Sequence, residues 1–340
     1  MTVTIADIAK HTRVSKATIS RVLNNKPDVS PETVERVRAA IRELGYVPSA
    51  QAVSLAKGQA SCIGMLVPTL TWPIILDVLR GVTEEVENSH YGIMLYNMSS
   101  SEESIRRLVT QAVRAKQIDG LVVITPPGML SYIEDLHHQG LPVVLIDDRG
   151  YNATFPSVTT DNIEGAYAAT KHLLENGRRR IAYINGNQEF GCSQDRLSGY
   201  LNALRDAGIE TAPELLYEGD FTEERGAIGM RLLLERQIAI DAVFAANDQM
   251  AFGAMKVLRS AGIRMPDDIA VVGFDDIYAA AYTTPSLSTI RQPFYEMGQT
   301  AVHLLLERLS GRELANFPVS LPTMLVVRES SVVGTLPTYS

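Results

Sequence analysis

The sequence has 340 residues, 46% hydrophobic and 21% charged, with a net charge of −8 at pH 7. That length exceeds one ordinary domain, and the apolar share supports a sizeable buried core and excludes wholesale disorder. No run approaches the roughly 20 apolar residues of a membrane-spanning helix, and the opening MTVTIADIAKHTR lacks the apolar stretch of a secretory leader; a cytoplasmic protein is expected.

The charge is unevenly spread. Residues 1–60 hold nine Lys or Arg against five Asp or Glu, which puts +4 on this head and leaves −12 on the body. A basic head on an acidic body points to polyanion binding at one end, a solvated charged face being the alternative. In chain order, Thr4 is placed to cap a first helix, with Asp7 three residues on and Ile5, Ile8 and Ala9 at helical spacing. After a turn at Arg13-Val14, Ser15 caps a second helix through about Leu23. Its Ile19, Val22 and Leu23 face inward, and Lys16, Ala17, Ser20 and Arg21 face out. The loop NNKPD breaks the pattern. Ser30, Pro31 and Gly45 then mark the cap, first turn and end of a third helix. Two short helices joined by a tight turn, the second with exposed Lys, Ala, Thr and Arg at its start, suit a major-groove reader. A plain three-helix bundle would share the spacing. Pro48 to Lys57 reads as a weak helix of about two turns, marginal in isolation.

From Cys62 onward short apolar runs alternate with amphipathic stretches: CIGMLVP, YGIMLYN, GLVVIT and PVVLID, then RIAYING, LLYEGD, AVFAAN and IAVVGF. Stretches between them, such as Ile75–Asn88 and Glu103–Lys116, have helical periodicity. Strand–helix alternation predicts parallel sheets covered on both faces, and two sets of four runs predict two sheets in two lobes. Ligands of such sheets bind at the C-terminal strand ends, so the cleft between the lobes is the expected site. No dinucleotide, P-loop or nucleophile-elbow motif is present, and no enzyme is expected. His137-His138 lacks a partner at metal spacing and reads as a surface helix end. Asp147-Asp148 and Asp275-Asp276 sit at strand ends, where carboxylates serve sugar hydroxyls or magnesium; neither a metal nor a cofactor is expected. Cys62 and Cys192 match no ligand spacing and read as buried, reduced thiols.

The segment TIADIAKHTRVSKATISRVLNNKPDVSPETVERVRAAIRELGYVPSAQAVSLAKG closely resembles the head of the LacI/GalR family of bacterial transcriptional regulators. The shared pattern runs through Thr4-Ile5, Asp7-Ile8-Ala9, Val14-Ser15, Thr18 to Asn24 and Gly45 to Pro48. The resemblance implies that residues at Lys16, Ala17 and Arg21 touch base edges. Those at Ser15, Thr18, Ser20 and Asn24 touch mainly phosphates and set register, and Thr4 counts among the DNA-facing residues. It also implies that residues 48–60 are a hinge, helical on operator DNA. There Leu55, followed by Ala56, wedges into the central minor-groove step. The family often has Ala-Arg-Ser-Leu here; this chain has Ala52-Val53-Ser54-Leu55 and loses a phosphate contact.

The likeness continues through Asp161-Asn162 with Gly165, Gly186 through Arg196-Leu197 and Gly199-Tyr200, Ala246-Asn247-Asp248, Gly273 to Asp276 and Thr289 to Pro293. It implies an α/β fold like that of periplasmic sugar-binding proteins. Residues 1–47 would form the helix-turn-helix domain. The first lobe would take about 61–161 plus 291–320, and the second about 162–290 plus 321–334. It makes Arg196 and Asp275 the principal polar clamps of an effector, Asn247 and Asp161 further ligands, and Phe221 an aromatic wall. Trp72, the sole tryptophan, is a stacking platform or a cap on the lobe; Phe190 and Asp148 lie in other cleft loops. A guanidinium fork, a carboxylate, an amide and an aromatic face match the vicinal hydroxyls and C–H face of a pyranose. The family's purine-binding branch has arginine at the position of Phe190 and lacks the asparagine at Asn247, so a sugar or sugar derivative is favoured. So small a head implies a homodimer on a pseudo-palindromic operator, and the tail SSVVGTLPTYS carries none of the leucine heptads of the tetrameric family member. The expected protein is a repressor of carbohydrate-utilisation genes switched by its effector. A corepressor-dependent regulator of a non-sugar metabolite and a sugar carrier are the alternatives.

Overall fold

A computed structural model describes residues 3–23, 26–46, 60–98, 101–124, 128–146, 156–314 and 317–333. The chain divides into two units, Met1–Ala60 and Ser61–Ser340. The expectations placed on Asn24, Val53, Leu55, Ala56, the hinge helix and Asp148 fall outside the described residues.

The head has three helices, α1 (Ile5–Thr12), α2 (Lys16–Leu23) and α3 (Pro31–Leu44). Each begins where a side chain replaces a missing helical partner. Thr4 and Asp7 form a reciprocal capping box on α1, Ser15 Oγ accepts the Thr18 N–H at 3.1 Å, and Ser30 caps α3 with Pro31 at its first turn. Gly45 ends α3 at φ +64°, where a side chain would be strained. Ile8, Ile19, Val22, Val37, Ala40 and Tyr46 form the buried centre; fully burying a side chain such as Ile8 or Ile19 contributes about 1.5–3 kcal/mol.

The body has two six-stranded sheets. In the first, β1 (Cys62–Val67), β2 (Gly92–Asn97), β3 (Gly120–Ile124), β4 (Val143–Ile146) and β5 (Ser157–Thr160) join β11 (Val319–Leu321) in the order β11-β5-β4-β3-β1-β2, all parallel. Strands β3, β4 and β5 are buried along their whole length, as a sheet covered on both faces requires. One face packs on α4 (Ile74–Glu87) and α11 (Phe294–Leu309), the other on α5 (Glu102–Arg114) and α6 (Leu130–His138). Helices α4 and α11 approach backbone to backbone: a Cβ on Gly81 would lie 1.9 Å from the Tyr295 carbonyl, and one on Gly298 would lie 2.3 Å from that of Val78.

The second sheet contains β6 (Ile181–Asn185), β7 (Leu216–Glu218), β8 (Ala242–Ala245), β9 (Ala270–Asp275), β10 (Ser288–Arg291) and β12 (Met324–Val326), in the order β12-β10-β9-β8-β6-β7. Only β12 runs antiparallel. Helices α7 (Asn162–Glu175), α8 (Gly191–Asp206), α9 (Glu223–Glu235) and α10 (Asp248–Ser260) cover it around one continuous core.

The eight apolar runs all contain strands, so the two-sheet α/β expectation holds. Four further strands, β5, β10, β11 and β12, were not among those runs. Their sequences SVTT, STIR, VSL and MLV are short, and three of the four carry polar residues. They become strands by pairing with neighbours remote in sequence, which local pattern does not encode. The chain passes between sheets after β5, after β10 and between β11 and β12. The crossings are bonded to one another: Thr160 Oγ1 donates to Gln292 Oε1 at 2.9 Å, and the Asp161 N–H donates to the Leu321 carbonyl at 3.4 Å.

Candidate functional site

Two surfaces carry the candidate residues, one on each unit. On the head, Lys16, Ala17 and Arg21 are exposed on α2, while Thr18 and Ser20 are half-buried and Ile19 and Val22 face the core. The outward row follows from helical periodicity around those two anchors. Ser15 and Thr18 also share a hydroxyl contact of 2.9 Å, which fixes the start of α2 while leaving the Ser15 side chain on the surface. Arg21 pairs with Asp28 at 3.1 Å, both exposed. Thr4 is exposed but engaged with Asp7.

On the body, the candidate effector residues stand at or just beyond the C-terminal ends of parallel strands. Arg196, in the second turn of α8, is 3% exposed. Its Nε donates to Asn162 Oδ1 at 2.8 Å and its Nη1 to the Ala246 carbonyl at 2.6 Å. Nη1 also lies 3.7 Å from Asp275 Oδ1, and the guanidinium stacks over the Phe274 ring, 3.9 Å from its centroid. These four contacts fix the orientation of the fork. Asp275 ends β9, and its Oδ1 accepts from Gln292 Nε2 at 2.7 Å. Asp275 and Asp276 have φ of +112° and +58°, conformations that cost on the order of 1–3 kcal/mol each for residues with side chains. Asp276 is held on both sides, by Arg291 and Arg328, each at 2.6 Å. Asp276 therefore braces the turn, and Asp275 is the member of the pair beside Arg196.

Three aromatic rings follow one another in the loops after β1, β6 and β7. Trp72, in the loop after β1, lies 6.0 Å from Phe190, which lies 5.7 Å from Phe221 in an edge-to-face arrangement. Trp72 belongs to the first lobe and also packs against that lobe's core; Phe190 and Phe221 belong to the second. Phe221 sits at φ +72° with its ring over Gly186, where a Cβ would come within 2.1 Å of ring carbon Cζ. Gly186 is thus a glycine because the aromatic wall occupies its side-chain space.

Asn247 and Asp161 stand nearby with side chains already engaged. Asn247 caps α10 by accepting the Met250 N–H at 2.9 Å, and its Nδ2 donates to the Phe221 carbonyl at 2.9 Å. Asp161 is exposed and caps α7 by accepting the Glu164 N–H at 2.9 Å. Five residues that contribute to the arrangement were not singled out from the sequence as site residues: Thr160, Asn162, Asp248, Thr289 and Gln292. All five are buried. Except for Thr160, each lay inside a motif that carried the family likeness, so that signal was available. Among the described residues no group of three or more His, Cys, Asp or Glu is placed to hold a metal ion, and no helix is long and apolar enough to cross a membrane.

A family model for the bacterial regulatory proteins of the lacI family matches residues 4–49, and a periplasmic binding protein-like domain matches residues 170–331. The ribose operon repressor of Halalkalibacterium halodurans is 36% identical over 331 residues, covering 97% of this chain and 98% of that protein. The transcriptional repressor PurR of Erwinia tasmaniensis is 34% identical over 340 residues, covering 99% of each. The Lac repressor dimer bound to operator and the anti-inducer ONPF superposes with a TM-score of 0.85 at 28% identity, over 98% of this chain and 100% of that one. A capped three-helix head, a two-sheet ligand-binding body and full-length relatives that are regulators rather than enzymes lead to one conclusion: the chain belongs to the LacI family, as a DNA-binding transcriptional repressor with a ligand-binding domain.

Proposed function

We propose that this repressor controls carbohydrate-utilisation genes as a homodimer on a pseudo-palindromic operator, and that a small sugar or sugar derivative bound between its lobes switches its operator affinity. One observation carries the sugar reading. Arg196 and Asp275 stand 3.7 Å apart, and the Trp72, Phe190 and Phe221 rings follow one another in loops that leave the strand ends. A fork and a carboxylate match adjacent hydroxyls, and the rings match the apolar face of a pyranose. The named ribose operon repressor among the relatives supports the same class.

On the DNA side, Lys16, Ala17 and Arg21 read base edges, Ser15, Thr18, Ser20 and Asn24 set register on phosphates, and Leu55 with Ala56 wedges the minor groove. Effector binding closes the lobes, changes the hinge spacing and withdraws Leu55, a coupling on the order of 1–3 kcal/mol. A second reading, a nucleobase acting as corepressor, is favoured by the PurR relative. It is opposed by Phe190, which stands where the purine-binding branch has arginine.

A thermal-shift screen of the full chain against sugars, sugar phosphates and nucleobases separates the two. A ligand at 100 times its Kd adds about 2.7 kcal/mol of stability, and operator-release assays with each hit then give the sign of regulation. A nucleobase hit with silence across the sugars would overturn the sugar reading and leave the DNA-binding head standing.

A further inference from the structure

A carboxylate with no exposed surface lies beneath the effector clamp. Asp248, the first residue of α10, has no exposed surface. Its Oδ2 accepts the Ile277 N–H at 2.8 Å, and its Oδ1 accepts the Thr289 hydroxyl at 2.6 Å. Both donors flank the Asp275-Asp276 turn: Ile277 follows it in sequence, and Thr289 lies on the adjacent strand β10, opposite Gly273. Thr289 Oγ1 in turn accepts the Asp276 N–H at 3.4 Å. The fit at Gly273 is close, since a Cβ there would stand 2.3 Å from Asp248 Oδ1. Asp248 therefore completes a ring of bonds around two consecutive residues in left-handed conformations. Its neighbour Asn247 ties the Phe221 loop by donating from Nδ2 to the Phe221 carbonyl, so one helix start fixes both the carboxylate and an aromatic wall of the site.

Holding an acid there is costly. Burial and the adjacent Asp275 carboxylate push the Asp248 carboxyl well above its usual range, and two donated hydrogen bonds are what offset that cost.

We propose that Asp248 is a positioning residue of the effector site: without touching the ligand, it holds the left-handed turn that aims Asp275 beside Arg196. The proposal rests on the reading of Arg196 and Asp275 as the effector clamp.

The test uses the full chain with Asp248→Ala, Asp248→Asn and Thr289→Val. Hydrogen exchange reads the turn without a ligand, and calorimetric titrations with ribose, glucose and cellobiose read the site. In Asp248→Ala the Ile277 amide should exchange at least about tenfold faster, with the amides of α1 unchanged. Any sugar the parent binds should bind roughly 10- to 100-fold more weakly, the factor expected for leaving buried donors without their acceptor, with operator affinity in the absence of sugar retained. Asp248→Asn should stay within about threefold of the parent in both readouts, because an amide oxygen still accepts from Ile277 and an amide N–H meets Thr289 Oγ1. Thr289→Val, similar in shape but without the hydroxyl that donates to Asp248 and accepts the Asp276 N–H, should fall between them and carries the test if the alanine variant does not fold.

Unchanged Ile277 exchange in the alanine variant, or in Thr289→Val where that stands in for it, would overturn the proposal. So would a loosened turn with unchanged sugar affinity, or an asparagine variant as weak as alanine, which would make the charge rather than the positioning decisive. If the parent binds none of the three sugars, the sugar reading takes that failure, and the exchange pattern alone decides whether Asp248 holds the turn.

Discussion

Replacing Arg196 with methionine isolates what the buried fork contributes. The arginine side chain is 4% exposed and that of Asp275 11%, so neither charge has ready access to water. Methionine keeps much of the apolar stem and its packing on the Phe274 ring, but removes the donors to Asn162 Oδ1 and the Ala246 carbonyl. It also removes the guanidinium from beside the Asp275 carboxylate, which still accepts from Gln292 Nε2. Removing one partner of a buried ion pair costs about 3–5 kcal/mol, because the other charge stays behind. For a body of this size each kcal/mol moves Tm by roughly 2 °C, so a drop of about 6–10 °C is expected in a calorimetric scan of the full chain. Adding Asp275→Asn should recover part of that loss, since the stranded charge is gone. A single variant that loses less than about 1 kcal/mol, or a double variant no more stable than the single, would refute the view that the pair is energetically coupled.

Three other outcomes are expected. Gly186→Ala places a methyl 2.1 Å from the Phe221 ring; the ring must shift, and sugar affinity in calorimetry should fall about tenfold, an overpacking cost of roughly 1–3 kcal/mol, with operator affinity unchanged. Thr4 holds the Asp7 carboxyl below its usual range by hydrogen bonds from its hydroxyl and its backbone N–H. Because that pKa is depressed in the folded state, the stabilisation is present above the unfolded value and lost as pH falls through the folded one. Exchange protection of the Ile8 amide should therefore be flat from neutrality to about pH 4 and decline below it, and Asp7→Asn should abolish the decline. Leu55→Ala should lose operator bending in a fluorescence-transfer assay while keeping salt-dependent non-specific binding; unchanged bending would remove the wedge from the mechanism.

The helix caps and stop signals of the head were legible in the sequence because they are local. Thr4 with Asp7, Ser15 with Thr18, and Ser30-Pro31 with Gly45 each satisfy a helix end within a few residues, so reading along the chain suffices. The eight apolar runs were legible for a similar reason: a strand buried on both faces must itself be apolar. The Arg196–Asp275 clamp came from family likeness, since nothing local says that residues 79 positions apart will meet.

Tertiary structure decided the rest. SVTT and STIR became strands because their neighbours supplied the ladder, not because their own residues required it. Asn247 and Asp161 read as sugar ligands, and the fold gives both a helix to cap. An amide or carboxylate suited to a hydroxyl is equally suited to a backbone N–H, and composition does not distinguish the two. Gln292 reaches Thr160 across 132 positions, and Asp248 reaches Thr289 across 41. The first bond exists because chain crossings run side by side between the sheets, the second because neighbouring parallel strands end together within one sheet. A local sequence pattern records which side chains are able to hydrogen-bond, whereas only the closed fold, by removing water and fixing distances, selects which of them do.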